Sequence, residues 1–224
     1  MSSKLAPMIL SSRLNDPDLG SIRVVSWDVD GTLYSTRRMK WHLLMLASAS
    51  TIRGLRLSPV RELNELQDFR KRMESARSAS GNLTFLNHDL ARRLQIEERW
   101  LAPSIARAGP RPGVRDLLRY FRTRVRTQVI LSDYEAEYKL KCLGLEGHFE
   151  AIYIGEHLGF IKPSPAPFIK ILEDLGVSAE CLLHIGNRAE TDGEGAKAAG
   201  CPSLVLGRDF RSFKQLLRTL TQNS

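Results

Sequence analysis

Two aspartates separated by a single residue lie near the N-terminal end of the chain. Asp28 and Asp30 follow an apolar run and are followed by Gly31 and Thr32. In different environments, one carboxylate of such a pair can act as a nucleophile while the other transfers a proton. The same residues can instead form an acidic turn, in which the Asp–Gly pair supplies a positive φ angle. The pair alone leaves both interpretations open.

Further polar residues follow later apolar runs. Ser132 and Asp133 come after one run, Asn187 after another, and Asp192 lies five positions beyond Asn187. Lys162 lies in a stretch rich in glycine and proline. Hydroxyl groups can hold phosphate oxygens, an ammonium group can offset their charge, and oxygen ligands bind Mg²⁺. With the aspartate pair, this set predicts phosphoryl transfer to an aspartate.

These residues need a scaffold that brings them to one place. Residues 22–27 form an apolar, β-branched run typical of a buried strand, and beyond residue 113 strand patterns alternate with helix patterns. Such alternation predicts an α/β fold with a parallel sheet, which binds ligands at the carboxyl ends of its strands. Strands are predicted at 22–27, 127–131, 150–154, 181–185 and 203–206, with helices at 114–122, 135–143, 165–175, 189–199 and 210–220.

Between residues 36 and 109 the strand patterns stop and apolar residues recur at helical spacing. Helices are predicted at 38–53, from 59 to about 77, at 84–94 and at 97–108. We therefore predict three parts: a flexible N-terminal tail at 1–20, a core at 21–35 and 110–224, and an all-helical cap domain at 36–109. Trp41 and Trp100 are expected in the apolar interior, as is His184 in its predicted strand.

Charge is distributed unevenly along the chain. The net charge is +8, and the 14 Lys and Arg against 7 Asp and Glu within 36–109 account for +7 of it. This basicity is either a field that attracts anionic substrates or an ordinary solvated helical surface. No nucleic-acid motif is visible, and no apolar run is long enough to span a membrane. Three cysteines without CxxC spacing favour a reducing compartment, so a cytoplasmic location is predicted.

Four motifs in order along the chain resemble those of the haloacid dehalogenase superfamily. The first is the segment from Asp28 to Tyr34, and the second is Ser132 at the end of an apolar strand. The third is Lys162 with the Pro-Ser-Pro that follows it, and the fourth runs from residue 184 through Asn187 to Asp192. The resemblance covers residues 21–35 and 110–210. It implies a Rossmann-like three-layer sandwich and a Mg²⁺-dependent phosphatase.

The resemblance also implies a role for each residue. Asp28 would attack the phosphate, Asp30 would act as the general acid and base, and Lys162 would steady both phosphate and nucleophile. Substrate binding is assigned to Gly31, Thr32, Ser132, Asp133 and Lys162, with Ser132 also counted among the catalytic residues. Mg²⁺ would be held by Asp28, the main-chain oxygen of Asp30, Asn187 and Asp192.

One position departs from the family pattern. Asn187 lies where an aspartate is common, so it is either a neutral metal ligand or a structural turn residue. The expected substrate is a small phosphorylated metabolite, while the oligomeric state is not determined by the sequence. The alternatives are a non-catalytic or weakly active protein on the same fold, or a phosphonatase, phosphomutase or dehalogenase. Asp30 argues against a dehalogenase, because that reaction has no leaving alkoxide to protonate.

Overall fold

A five-stranded parallel sheet forms the centre of this computed structural model, which describes residues 20–52, 59–79 and 90–222. The strands are β1 Val24–Trp27, β2 Thr127–Ser132, β3 Ala151–Ile154, β4 Leu182–Gly186 and β5 Ser203–Val205. Their order in the sheet is β3-β2-β1-β4-β5, and every neighbouring pair is parallel. The predicted α/β fold is confirmed. The predicted tail lies outside the described residues except for Gly20.

Ten α-helices surround the sheet in the described part of the chain. They are α1 Thr36–Ile52, α2 Pro59–Ala79, α3 Leu90–Ile96, α4 Ala102–Ala108, α5 Val114–Arg122, α6 Glu137–Leu143, α7 Gly155–Leu158, α8 Ala166–Leu175, α9 Glu194–Ala198 and α10 Phe213–Gln222. Residues 84–89 of the helix predicted at 84–94 fall outside the described ranges. None of the described helices is both long and apolar enough to cross a lipid bilayer.

Several element boundaries differ from the sequence prediction. The helices predicted at 97–108 and 189–199 begin with π-helical turns, Glu97–Leu101 and Ala189–Gly193. The last helix begins at Phe213 instead of residue 210. The hydroxyl of Ser212 accepts a hydrogen bond from the backbone N–H of Gln215 at 3.2 Å, so it caps the helix at that point.

The sheet is buried on both faces, which explains its β-branched, apolar strands. Along β1, Val25 and Trp27 lie in one apolar cluster, whereas Val24 lies in the other. Helices α5 and α10 cover the Trp27 face through residues such as Leu117 and Phe213. Helices α8 and α9 cover the opposite face. The result is the three-layer arrangement expected of a Rossmann-like fold.

The four helices between β1 and α5, which we call the helical insertion (α1 to α4), share the apolar cluster on the Trp27 face. Met39 of α1 and Trp100 of the π-helical turn are both buried there, the latter as predicted. The prediction for Trp41 is wrong, because its side chain is 59% exposed. Helix α1 packs through Leu43 and Leu46, and Trp41 lies outside that packed face.

Two ion pairs and an apolar contact join the helical insertion to the sheet region. The guanidinium group of Arg93 donates to both carboxylate oxygens of Glu156, at 2.6 and 2.7 Å, and both side chains are nearly buried. Arg188 and Glu74 form a second pair at 3.3 Å, and both side chains are about half exposed. Phe69 and its neighbours on α2 pack against Ile161 and Tyr134. The contact is therefore partly apolar and partly ionic.

We expect the buried pair to matter more for stability than the exposed one. Glu156→Ala leaves the buried Arg93 with only the more distant carboxylate of Glu97, at 3.9 Å, and should lower the free energy of unfolding by about 3 kcal/mol. Glu74→Ala removes the exposed pair and should cost about 0–1 kcal/mol. Urea denaturation of both variants measures the difference. Equal losses of stability would contradict this assignment.

Candidate active site

The predicted site residues meet at the carboxyl edge of the sheet. β1 lies between β2 and β4, with Trp27 in register with Ile130 and Ile185, so residues after these three strands are neighbours. A small cavity of about 50 Å³ opens at this edge. Its lining includes six of the predicted residues, which are Asp28, Asp30, Asp133, Lys162, Asn187 and Asp192. Tyr134, Arg188 and Thr191 complete the lining.

Lys162 lies at the centre of the site and is only 1% exposed. Its ammonium group donates to Asp28 Oδ1 at 2.8 Å, to Asp192 Oδ1 at 2.7 Å and to the main-chain oxygen of Leu131 at 3.2 Å. Its backbone N–H donates to Asp133 Oδ1 at 2.9 Å, which fixes the loop that carries the lysine. Asp133, predicted as a substrate contact, therefore also anchors Lys162.

One buried ammonium group faces two buried carboxyl groups. Burial raises the pKa of Asp28 to about 7, although Lys162 favours its ionised form. Burial also disfavours the ionised form of Asp192, but Lys162 and His184 outweigh it and hold the pKa of Asp192 well below its usual range. When ionised, the side chains of Lys162, Asp28 and Asp192 together carry a net charge of −1. A cation beside Asp28 would balance that charge.

The side chain of Asn187 lies against two oxygens that a metal could use. One terminal position of its amide is 3.2 Å from Asp28 Oδ2 and 3.1 Å from the main-chain oxygen of Asp30. An NH₂ group at this position donates a hydrogen bond to each of them. An oxygen there accepts a hydrogen bond from the Thr32 hydroxyl at 3.0 Å and converges with the other two oxygens, an arrangement that suits a hard cation such as Mg²⁺. The residues present therefore fit the metal predicted from the sequence.

Asp192, the fourth predicted ligand, lies outside this oxygen cluster. Its Oδ1 faces Lys162 and, at 3.4 Å, the ring of His184. Its Oδ2 accepts the backbone N–H groups of Asn187 and Arg188, both at 2.9 Å. A Cβ atom on Gly186 would lie 2.4 Å from the Cβ of Asp192, so glycine is needed here to leave room for the Asp192 side chain. In this arrangement Asp192 positions Lys162 and the Asn187 loop.

The predicted phosphate-binding hydroxyls are both engaged within the protein. Ser132 is buried and donates to the main-chain oxygen of Tyr134 at 2.7 Å, outside the cavity lining. Thr32 donates to Asp28 Oδ2 at 2.7 Å. Gly31 has φ +94°, and a Cβ there would come within 2.6 Å of the Asn187 amide. The turn after β1 is therefore packed tightly, and substrate contacts by these residues stay predictions.

Three groups around Asp30 were not found from the sequence. Lys139 on α6 donates to Asp30 Oδ2 at 2.5 Å, and the hydroxyl of Tyr34 donates to Oδ1. Burial would raise the pKa of Asp30, but the charges of Lys139 and of Arg70 on α2 outweigh burial and lower it. Tyr34 was visible only as part of the first motif. No sequence pattern distinguished Lys139 or Arg70 from other basic residues, because a lysine or arginine in a helix usually faces solvent.

His184 belongs to the interior, as predicted. It is fully buried in β4, and its Nδ1 lies 2.8 Å from the hydroxyl of Ser26 on β1. Burial lowers the pKa of the ring, so the neutral form is favoured. Its ring packs edge-on against Phe168, with centroids 5.0 Å apart. His184 therefore contacts Asp192 from the protein interior and does not line the cavity.

Comparisons with known proteins agree with this geometry. Residues 22–200 match the family described as haloacid dehalogenase-like hydrolase. The chain is 32% identical to a phosphoglycolate phosphatase of Chromobacterium violaceum over 116 residues, which are 50% of this chain and 52% of the relative. It is 36% identical to a glyceraldehyde 3-phosphate phosphatase of Methanopyrus kandleri over 70 residues, 31% of this chain and 30% of the relative.

These matches span about half or less of the curated relatives' length. Among solved structures, the hydrolase YfnB of Bacillus subtilis, described as bound to magnesium, aligns with a TM-score of 0.65 at 20% identity. That alignment covers 89% of this chain and 99% of YfnB, and at this identity it shows a shared fold. The match to the family extends over most of the sequence and includes every strand that meets at the site. The chain belongs to the haloacid dehalogenase-like hydrolase family.

Proposed function

We propose that this protein is a Mg²⁺-dependent phosphatase that hydrolyses a small phosphomonoester through an aspartyl-phosphate on Asp28. The observation that supports it most directly is the buried Lys162, held between the carboxylates of Asp28 and Asp192 beside a cavity that Asp30 also lines. A nucleophilic carboxylate, a cation and a second carboxylate with a different environment suit two-step phosphoryl transfer. The phosphatase names of the relatives support the same reaction class.

In the first step, an oxygen of Asp28 attacks phosphorus and the bond to the substrate's alcohol oxygen breaks. Asp30 enters this step in its protonated form and gives that proton to the leaving oxygen, so the product departs as a neutral alcohol. Because Lys139 and Arg70 lower the pKa of Asp30, the first step is favoured at lower pH. Lys162 offsets the negative charge brought together by carboxylate and phosphate. Because Lys162 contacts Asp28 at 2.8 Å and is buried, this compensation acts in a site shielded from water.

In the second step, Asp30 is ionised and accepts a proton from a water molecule that attacks phosphorus. The bond between phosphorus and the Asp28 oxygen breaks, which releases inorganic phosphate and restores both carboxyl groups. The phosphate is proposed to contact Gly31, Thr32, Ser132 and Asp133. Their hydroxyl and backbone groups lie in the turns that follow β1 and β2.

Asp28 Oδ2, the main-chain oxygen of Asp30 and the amide oxygen of Asn187 are the proposed ligands for Mg²⁺. The ion would supply the positive charge that allows an anionic nucleophile to approach an anionic phosphate. Asp192 would act on this site through the backbone of Asn187, whose N–H it accepts at 2.9 Å. Its direct ligation, predicted from the sequence, has less support from the geometry.

The helical insertion is proposed to act as a cap that selects the substrate and excludes water. Its helix α2 packs against Tyr134, which lines the cavity, and places the charge of Arg70 near Asp30. The cavity of about 50 Å³ is too small to enclose a whole metabolite, so the proposed substrate class rests on the names of the relatives. The relatives named for phosphoglycolate and glyceraldehyde 3-phosphate make two- and three-carbon phosphates the first compounds to test.

One observation favours a second candidate, a protein of the same fold that binds a ligand without catalysis. The NH₂ group of Asn187 can satisfy the oxygens of Asp28 and Asp30 by hydrogen bonding. A neutral residue also contributes less to Mg²⁺ affinity than the aspartate common at this position. An activity assay separates the two candidates.

We expect purified protein to release p-nitrophenol from p-nitrophenyl phosphate when Mg²⁺ is present and to lose this activity with EDTA. Asp28→Asn should lower the turnover number by at least about 10³-fold, because the nucleophile is lost. Asp116→Asn, which alters an exposed carboxylate on α5, is the matched control and should retain activity. A protein that is inactive with this substrate and with a panel of phosphorylated metabolites would favour the second candidate.

Substitutions of Asn187 test the metal assignment. Asn187→Asp adds a negative charge beside the proposed Mg²⁺ and should lower the half-saturating Mg²⁺ concentration by about tenfold, equivalent to about 1.4 kcal/mol. Asn187→Ala removes an oxygen ligand and should raise that concentration by a similar factor. Calorimetric titration with Mg²⁺ measures both changes independently of activity. An unchanged Mg²⁺ affinity in Asn187→Ala would rule out ligation by this residue.

A further inference from the structure

A buried lysine outside the four family motifs contacts the proposed acid–base residue. Lys139 lies on α6 and is only 1% exposed, and its ammonium group is 2.5 Å from Asp30 Oδ2. A buried ammonium group is costly unless it is paired, so this contact is the main stabilising interaction that the structure offers it. The Asp30 side chain is 21% exposed, so the pair faces the cavity through the aspartate.

The second oxygen of Asp30 is also held. The hydroxyl of Tyr34, which is buried in the turn after β1, donates to Asp30 Oδ1. Two donors from different elements therefore hold the two oxygens of one carboxylate. This fixes both torsion angles of the Asp30 side chain, because rotation about either one breaks a hydrogen bond.

We propose that Lys139 is a positioning residue for the phosphatase reaction: with Tyr34 it holds the Asp30 carboxyl group where it can pass a proton to the leaving alcohol. This inference rests on the proposed function. In the first step, the proton moves from Asp30 to the alcohol oxygen as the bond between phosphorus and oxygen breaks. The carboxylate that remains is stabilised by the ammonium group of Lys139 until water returns a proton.

A purely structural role for Lys139 is the alternative. The buried carboxyl group of Glu97 also lies close enough for Lys139 to favour its ionised form, so the lysine could serve only to neutralise buried charge. Such a role would affect every substrate equally. A positioning role would affect only substrates whose leaving group needs a proton.

The test therefore compares two leaving groups in one protein. An alkyl phosphate, the best substrate from the metabolite panel, releases an alkoxide that needs protonation, whereas p-nitrophenyl phosphate releases a stable phenolate. The parameter kcat/KM includes only steps up to the departure of the leaving group, so hydrolysis of the phosphoenzyme does not affect it. Lys139 also lowers the pKa of Asp30, so each protein is compared at the acidic plateau of its pH profile, where Asp30 is protonated. There, in Lys139→Met, the ratio of kcat/KM for alkyl over aryl substrate should fall about 10- to 100-fold.

This ratio does not depend on how much of the variant folds, since loss of active protein lowers both values equally. Tyr34→Phe removes the second donor and should lower the ratio in the same direction. Lys141→Met, which alters an exposed lysine on the same helix, is the matched control and should leave the ratio unchanged. Equal losses on both substrates in Lys139→Met would overturn the inference. A wild-type protein inactive on both substrates would instead refute the proposed phosphatase function.

Discussion

The ammonium group of Lys162 is the interaction on which the site depends. It contacts Asp28 after β1 and Asp192 after β4, and it comes from the loop between α7 and α8. Three separate segments thus converge on one buried charge. Two carboxyl groups share this single cation, so the centre stays short of positive charge. Burial, together with the nearby charge of Asp192, raises the pKa of Asp28, and a cation such as Mg²⁺ would supply the missing charge.

A second lysine gives the neighbouring carboxylate a different environment. Lys139 and Tyr34 hold both oxygens of Asp30, and nearby positive charges lower its pKa, whereas burial raises that of Asp28. Two aspartates separated by one residue therefore differ in their tendency to bind a proton. The lowered pKa of Asp30 favours the ionised form that accepts a proton from water in the second step, whereas the first step requires its protonated form. The difference between the two aspartates results from different partner residues, since both follow the same strand.

The helical insertion brings positive charge close to this site. Some of its basic side chains face solvent, whereas others lie at the contact with the sheet region or near the site. Arg37 and Arg38 are exposed, Arg93 is paired with Glu156, and Arg70 contributes to the field at Asp30. Some of the positive charge therefore stabilises packing against the sheet region. Neither a field that attracts anionic substrates nor a solvated surface therefore accounts for all of this basicity.

The sequence by itself determined the α/β architecture and the order of the motif residues, because these depend on local features. Burial gives strands and helices distinct periodicities, and parallel strands place their carboxyl ends at one edge. Only the tertiary structure revealed the partners of Asp30, the position of Asp192 beside the oxygen cluster, and the exposure of Trp41. These features arise where helices pack against the sheet, between residues far apart in the chain. Lys139 is 109 positions from Asp30, and no local pattern distinguishes a buried, paired lysine from a solvated one.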